Sequence, residues 1–254
     1  MKAMPTRRLT RLMVVLALLP LAGACSDDRD RASGGPPAAG TLRVADSGEQ
    51  VVVATDNGLR LRPADGRGVT VDDRVEKHWS HHGKVWTLDL SCADRGAGDG
   101  DCPRMPYVEI PDGISVTATA RNAGVDVAGV AAALDITTVN GDVTVTRSGR
   151  DGADVRLSTR NGSVRATGVA ARRVHAATTN GDVVLGCAAV PYGVSAATVN
   201  GSVDVTVPHD SPPYRVTAST DNGRATVAVP VREADRDHTM ALTTVNGDVD
   251  ARRE

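Results

Sequence analysis

The sequence predicts an all-β fold, a β-solenoid resembling a right-handed parallel β-helix, in which repeats of about 20 residues stack as successive coils. Three observations point there. Seven Asn-Gly pairs occur, each with a Thr two residues before the Asn. From Asn140 onward the pairs recur at intervals of 21, 19, 20, 22 and 24 residues. Apolar residues alternate on both sides of each pair, and the chain has no Phe.

The first 25 residues are a targeting segment and not part of the fold. Lys2, Arg7, Arg8 and Arg11 form a positive start, and Leu12 to Leu21 is an apolar run broken only by Pro20. Leu21-Ala22-Gly23-Ala24-Cys25 then resembles a bacterial lipoprotein lipobox, with Cys25 as the lipidation site. The apolar run is too short to span a bilayer. The expected address is therefore the outer face of the cell membrane through a lipid, with plain secretion as the alternative. Residues 26–40 are Asp, Arg, Ser, Gly, Pro and Ala, a composition that buries no core and reads as a flexible tether.

Residues 41–254 form the β-repeat domain, with 41–110 as a less regular capping part. Here lie Trp79, Trp86, Tyr107, the cluster His78, His81 and His82, and the pair Cys92 and Cys102. An exported chain permits a disulfide closing the Gly- and Asp-rich loop between those two Cys. Cys187 is left over and reads as a buried, inert thiol.

Aligned on the Asn, the repeats share one template. Six residues before it stand Leu134, Val155, Val174, Val194, Val216 and Met240. Four before stand Ile136, Leu157, Ala176, Ala196, Ala218 and Leu242. Three after stand Val143, Val164, Val183, Val203, Ala225 and Val249. This is two half-buried strands joined by a tight corner. Two architectures satisfy the pattern. Each Asn-Gly could be a type I′ turn, giving stacked antiparallel hairpins. Or each could be a solenoid corner, with Gly supplying positive φ and the Asn amides forming a ladder. The near-constant period and the small interior favour the solenoid. The corner residues are then Asn140, Gly141, Asn161, Gly162, Asn180, Gly181, Asn200, Gly201, Asn222, Gly223, Asn246 and Gly247. Asn57-Gly58 reads as a first repeat, and charged Asp250 to Glu254 would blunt the far end.

The run Thr137-Thr138-Val139-Asn140-Gly141-Asp142-Val143 and its near-copy at Thr243 to Val249 resemble the bacterial DUF4097 family of β-strand-repeat proteins. Its members are often labelled candidate adhesins. The likeness covers about residues 41–254. It implies a solenoid-like stack, export or membrane attachment, and no established catalysis. Some relatives are associated with cell-envelope stress systems. Three Lys in all, against abundant Arg, Ala, Gly and Val, suggest a GC-rich, actinobacterial source.

Net charge is −2, which excludes a basic field for nucleic acid. His78, His81 and His82 have the residue type for Zn or Cu, with a solvated loop as the plainer reading. Asp142, Asp182 and Asp248, with Ser163 and Ser202 between, could line oxygens for Ca²⁺, but Ser and Arg224 interrupt the row and turn chemistry and solubility are the plainer reading. No nucleophile elbow, phosphate loop or metalloprotease motif occurs. No catalytic residue, metal or cofactor is therefore expected. The expected function is a surface-displayed interaction protein whose partner is an envelope protein or wall polymer. The alternatives are an envelope-stress accessory or sensor, and a carbohydrate-active β-helix enzyme.

Overall fold

The computed structural model describes residues 41–43, 48–90 and 105–254. Cys25, the tether 26–40 and the Cys92–Cys102 bridge lie outside them. The described part belongs to one compact unit that begins at Pro37.

Among the described residues the chain is all strand and no helix. After β1 (Thr41–Arg43) come β2 (Gln50–Ala54) and β3 (Leu59–Pro63), a first coil. Next are β4 (Gly68–Val71), β5 (His78–His82), β6 (Val85–Asp89) and β7 (Tyr107–Ile110). Regular coils follow. They are β8 (Ser115–Thr119) with β9 (Val125–Ala128), β10 (Leu134–Thr137) with β11 (Val143–Thr146), and β12 (Gly149–Ser158) with the first part of β13 (Val164–Ala177). The rest of β13 continues into β14 (Val183–Cys187), and β15 (Gly193–Ala197) into β16 (Val203–Val207). The last are β17 (Arg215–Asn222) with β18 (Ala225–Val227), and β19 (Thr239–Asn246) with β20 (Val249–Arg253).

Strands before a corner join one ladder, in the order β5, β6, β2, β8, β10, β12, β13, β15, β19, β17. Strands after a corner join the other, in the order β1, β4, β7, β3, β9, β11, β13, β14, β16, β20, β18. β13 runs through both ladders, so the strands belong to one curled sheet. Pairing is parallel throughout the repeats, and antiparallel only for β1–β4, β4–β7 and β5–β6. The segments flanking a corner do not pair with each other; β13 pairs with β12 through its residues 170–177 and with β14 through its residues 164–169, each the far half from the shared corner. The hairpin alternative is therefore overturned: equivalent strands of successive repeats pair, and each Asn-Gly carries the chain from one ladder to the other.

The register puts equivalent residues in rows. Leu134 stands by Val155, then Val174, Val194, Met240 and Val216. These rows face inward and form one continuous core of Val, Ala, Leu and Ile. Parallel strands need buried apolar rows on the packed face, and the alternation supplies them.

The spatial order departs from the chain order at the C-terminus. β19 lies between β15 and β17, and β20 between β16 and β18. The charged C-terminal strand is thus inside the stack, and β17–β18 forms the far end. That corrects the expectation that Asp250 to Glu254 would blunt it. A ladder of side-chain acceptors two residues after the Asn follows this spatial order. There, Asp142 Oδ1 accepts from Ser163 N–H, Ser163 Oγ from Asp182 N–H, and Asp182 Oδ1 from Ser202 N–H. Ser202 Oγ accepts from Asp248 N–H, and Asp248 Oδ1 from Arg224 N–H. From Asp142 onward each coil with a neighbour beyond it carries an acceptor side chain at this place, whereas the β8–β9 coil has Gly124 there. Arg is no acceptor, and the coil carrying Arg224 stands last.

The opposite end carries the antiparallel strands β1, β4 and β5. Trp79 and Trp86 pack against the core beside β5 and β6. His81 stacks on Trp86 with centroids 3.9 Å apart, and Trp86 Nε1 donates to Glu49 at 3.2 Å.

Candidate functional site

Two features could do chemistry or recognition: the corner file and the outer face of the ladder that contains β10. The corner file is structural in every contact. Asn161, Asn180, Asn200, Asn246 and Asn222 each donate Nδ2 to the Oδ1 of the preceding Asn at 2.8–2.9 Å, starting from Asn140. Thr159, Thr178, Thr198, Thr244 and Thr220 donate Oγ1 to the preceding coil's Gly carbonyl at 2.7–2.8 Å. Thr138 donates to Ala123 O instead. A buried hydroxyl without such a partner would cost about 1–3 kcal/mol. In the β2–β3 coil Thr55 Oγ1 instead accepts from Asn57 N–H.

Close packing against the neighbouring coil requires Gly at every corner, and Gly141, Gly162, Gly181, Gly201 and Gly247 also have positive φ, which Gly58 and Gly223 do not. Gly181 has φ +144°, and a Cβ there would collide with Gly162 O of the neighbouring coil. The oxygens of Asp142, Asp182 and Asp248 face the next coil's backbone N–H, an arrangement suited to closing corners. Asp142 also pairs with Arg165 at 2.8 Å.

The other sequence candidates are dispersed. His78, His81 and His82 lie on β5 and are exposed. His78 Nε2 is 3.4 Å from Glu76. Among the described residues no three His, Cys, Asp or Glu gather as a metal site. Cys187 is buried, and burial pushes its thiol up to about 12. Tyr214 is fully buried, donates to Pro191 O at 3.0 Å, and is pushed up to about 12 by burial. Tyr192 is 53% exposed and stacks on His238 with centroids 5.1 Å apart.

The outer face carries a groove of about 510 Å³ that runs from Gln50 on β2 to Thr239 on β19. One row of its floor is Thr117, Asp135, Arg156, His175, Ser195 and Ala241, neighbours strand by strand. A second row includes Asp154, Arg173, Gly193 and Thr239. Small residues at Gly193, Ala133 and Ala241 lower the floor between the charged side chains. Arg156 Nη1 is 4.0 Å from Asp135, and Arg172 grips Asp154 at 3.1 Å. His175 is held below its ordinary value, chiefly by burial and further by Arg156, with Asp135 opposing. Both carboxylates of the groove are thus Arg-paired, unlike a general acid kept protonated in an apolar pocket.

Sequence reasoning passed over this groove. Its main row is the position five residues before each Asn, which becomes a contiguous strip only once the coils are known to stack in parallel.

No curated protein matches the chain. Among solved structures, a candidate cell adhesion protein from Clostridium sporogenes is similar, with 8% identity and a TM-score of 0.40 over 85% of this chain and 97% of that one. A candidate adhesin from Parabacteroides merdae shows 11% identity and a TM-score of 0.40 over 83% and 93%. The Toastrack DUF4097 family model matches residues 107–252, more than half of the chain. That stretch holds the parallel coils with their Thr, Asn and Gly files, and the chain belongs to the Toastrack DUF4097 family.

Proposed function

We propose that this chain is a non-catalytic, adhesin-like interaction protein displayed on the outer face of the cell membrane. A lipid on Cys25 anchors it, residues 26–40 tether it, and the stack presents the groove to an extended polar partner. The single observation that carries the reading is the groove itself. It crosses seven strands and offers, in file, hydroxyls, carboxylates, guanidiniums and an imidazole. At about 4.8 Å per strand its floor runs for roughly 29 Å. Such a length suits a wall polymer or an extended segment of an envelope protein better than a compact substrate.

The test immobilises the oxidised chain and exposes it to purified wall polymers and solubilised envelope proteins. Retention that is lost in the Arg156→Ala, Arg173→Ala double variant supports the reading. Retention unchanged in that variant moves binding away from the groove. Cleavage of a retained polymer would replace adhesion with hydrolysis.

A further inference from the structure

Every corner of the stack carries a chemical liability. Asn followed by Gly is the pair in which the next backbone nitrogen reaches the side-chain amide carbon most freely, since Gly has no Cβ in the way. The stack answers this liability at most of its corners. Gly141, Gly162, Gly181, Gly201 and Gly247 donate their N–H to the neighbouring coil's Asn carbonyl, on Asn161, Asn180, Asn200, Asn246 and Asn222 in turn, at 2.8–3.0 Å. The Asn side chains are pinned by their own file of amide hydrogen bonds.

The Asn222-Gly223 corner lacks most of this protection. It is the last of the file, and Gly223 N–H donates to no group among the described residues. Asn222 keeps one side-chain bond, from its Nδ2 to Asn246 Oδ1 at 2.9 Å, and no further Asn donates to its Oδ1. Residues 221–228 are all exposed, so base and water reach the corner.

We propose that Asn222 is the site at which the folded chain deamidates spontaneously. Gly223 N gives its proton to solvent base and bonds to Asn222 Cγ. The Cγ–Nδ2 bond breaks, and Nδ2 takes up a proton and leaves as ammonia. The resulting succinimide adds one water, and opening of either of its C–N bonds gives aspartate or isoaspartate. No oxidant, metal or enzyme is needed.

A count of bonds ranks the corners. At Asn161, Asn180, Asn200 and Asn246, attack must release three hydrogen bonds: the Gly N–H, the Asn Nδ2 and the Asn Oδ1. Asn140 begins the file and has two of these, from Gly141 N–H and to its Oδ1. Asn222 has one. At about fivefold per bond, Asn222 should react roughly 25-fold faster than the inner corners, with Asn140 between. Asn57-Gly58 stands outside the file. Gly58 is buried there under Gly124 O and Met105, which keeps solvent base from its nitrogen.

The product changes the last coil alone. Either acid lacks the amide that donates to Asn246. Isoaspartate also routes the main chain through the side chain and adds one carbon to the corner. Arg224 N–H then loses its register with Asp248 Oδ1, now 2.8 Å away. The inference stands on the corner file and is independent of the groove.

The test ages the full chain in mildly alkaline buffer, folded and in urea. Peptide mapping by mass spectrometry follows conversion of amide to acid at each Asn-Gly, and isoaspartyl methyltransferase labelling reports isoaspartate. In the folded chain Asn222 should convert first, followed by Asn140, with the inner corners about 25-fold slower than Asn222. In urea the seven pairs should react at similar rates, because the local sequence is then all that differs. An inner corner or Asn57 reacting as fast as Asn222 in the folded chain would overturn the proposal. So would a lead for Asn222 that persists undiminished in urea, since local sequence and not its place in the stack would then set the rate.

Discussion

Gly181→Ala should destabilise the stack far more than an ordinary glycine replacement. Two effects add at this corner. An Ala held at φ +144° is strained, by about 1–3 kcal/mol. Its Cβ also meets Gly162 O, with Gly162 C 2.5 Å away, and backbone cannot step aside as a flexible side chain can. Overpacking of this kind costs about 1–3 kcal/mol. The sum is roughly 4 kcal/mol, a large share of the 5–15 kcal/mol typical of a whole domain. For a domain of this size the melting temperature should fall by about 8–16 °C. The control is Gly152→Ala, at φ +78° with nothing within 4 Å of the new Cβ. It should cost only the backbone strain, about 1–2 kcal/mol. Urea unfolding followed by far-ultraviolet circular dichroism compares the two. If both variants lose the same stability, coil-to-coil contact is not what requires glycine at the corner.

Two further outcomes follow from the core and the Thr file. Thr178→Val removes the hydroxyl that donates to Gly162 O at 2.7 Å and should cost about 1–2 kcal/mol, while Thr178→Ser keeps the donor and should recover most of it in the same unfolding assay. Cys187 and Tyr214 are both held at about 12, above ordinary values of 9.0 and 10.0, so the folded chain keeps protons that the unfolded chain releases. Their contribution is complete below pH 9 and declines between pH 9 and about 12. The urea midpoint should fall across that range, less steeply in Cys187→Ala, and identical slopes for parent and variant would refute the assignment to the thiol.

Much of the fold is legible in single residues. Thr two places before Asn, Gly just after it and Val three after are each dictated locally, by one coil's contact with the next. The groove was less legible, although Asp135, Arg156 and His175 occupy one column of the repeat. Their alignment as a strip depends on parallel register across coils, which hairpins would have broken.

The sequence by itself determined the coil: its period, its thin core of small apolar residues and its corner chemistry. These follow from the alternation of strands and the steric demands of one corner, both local. Only the tertiary structure decided which coil neighbours which. Successive repeats are so alike that chain order appears sufficient, yet β19–β20 slides beneath β17–β18. Long-range pairing makes that choice, and in the order it makes Asp248 accepts the next coil's N–H while Arg224, which has no acceptor, stands last. The same choice leaves one end of the stack open.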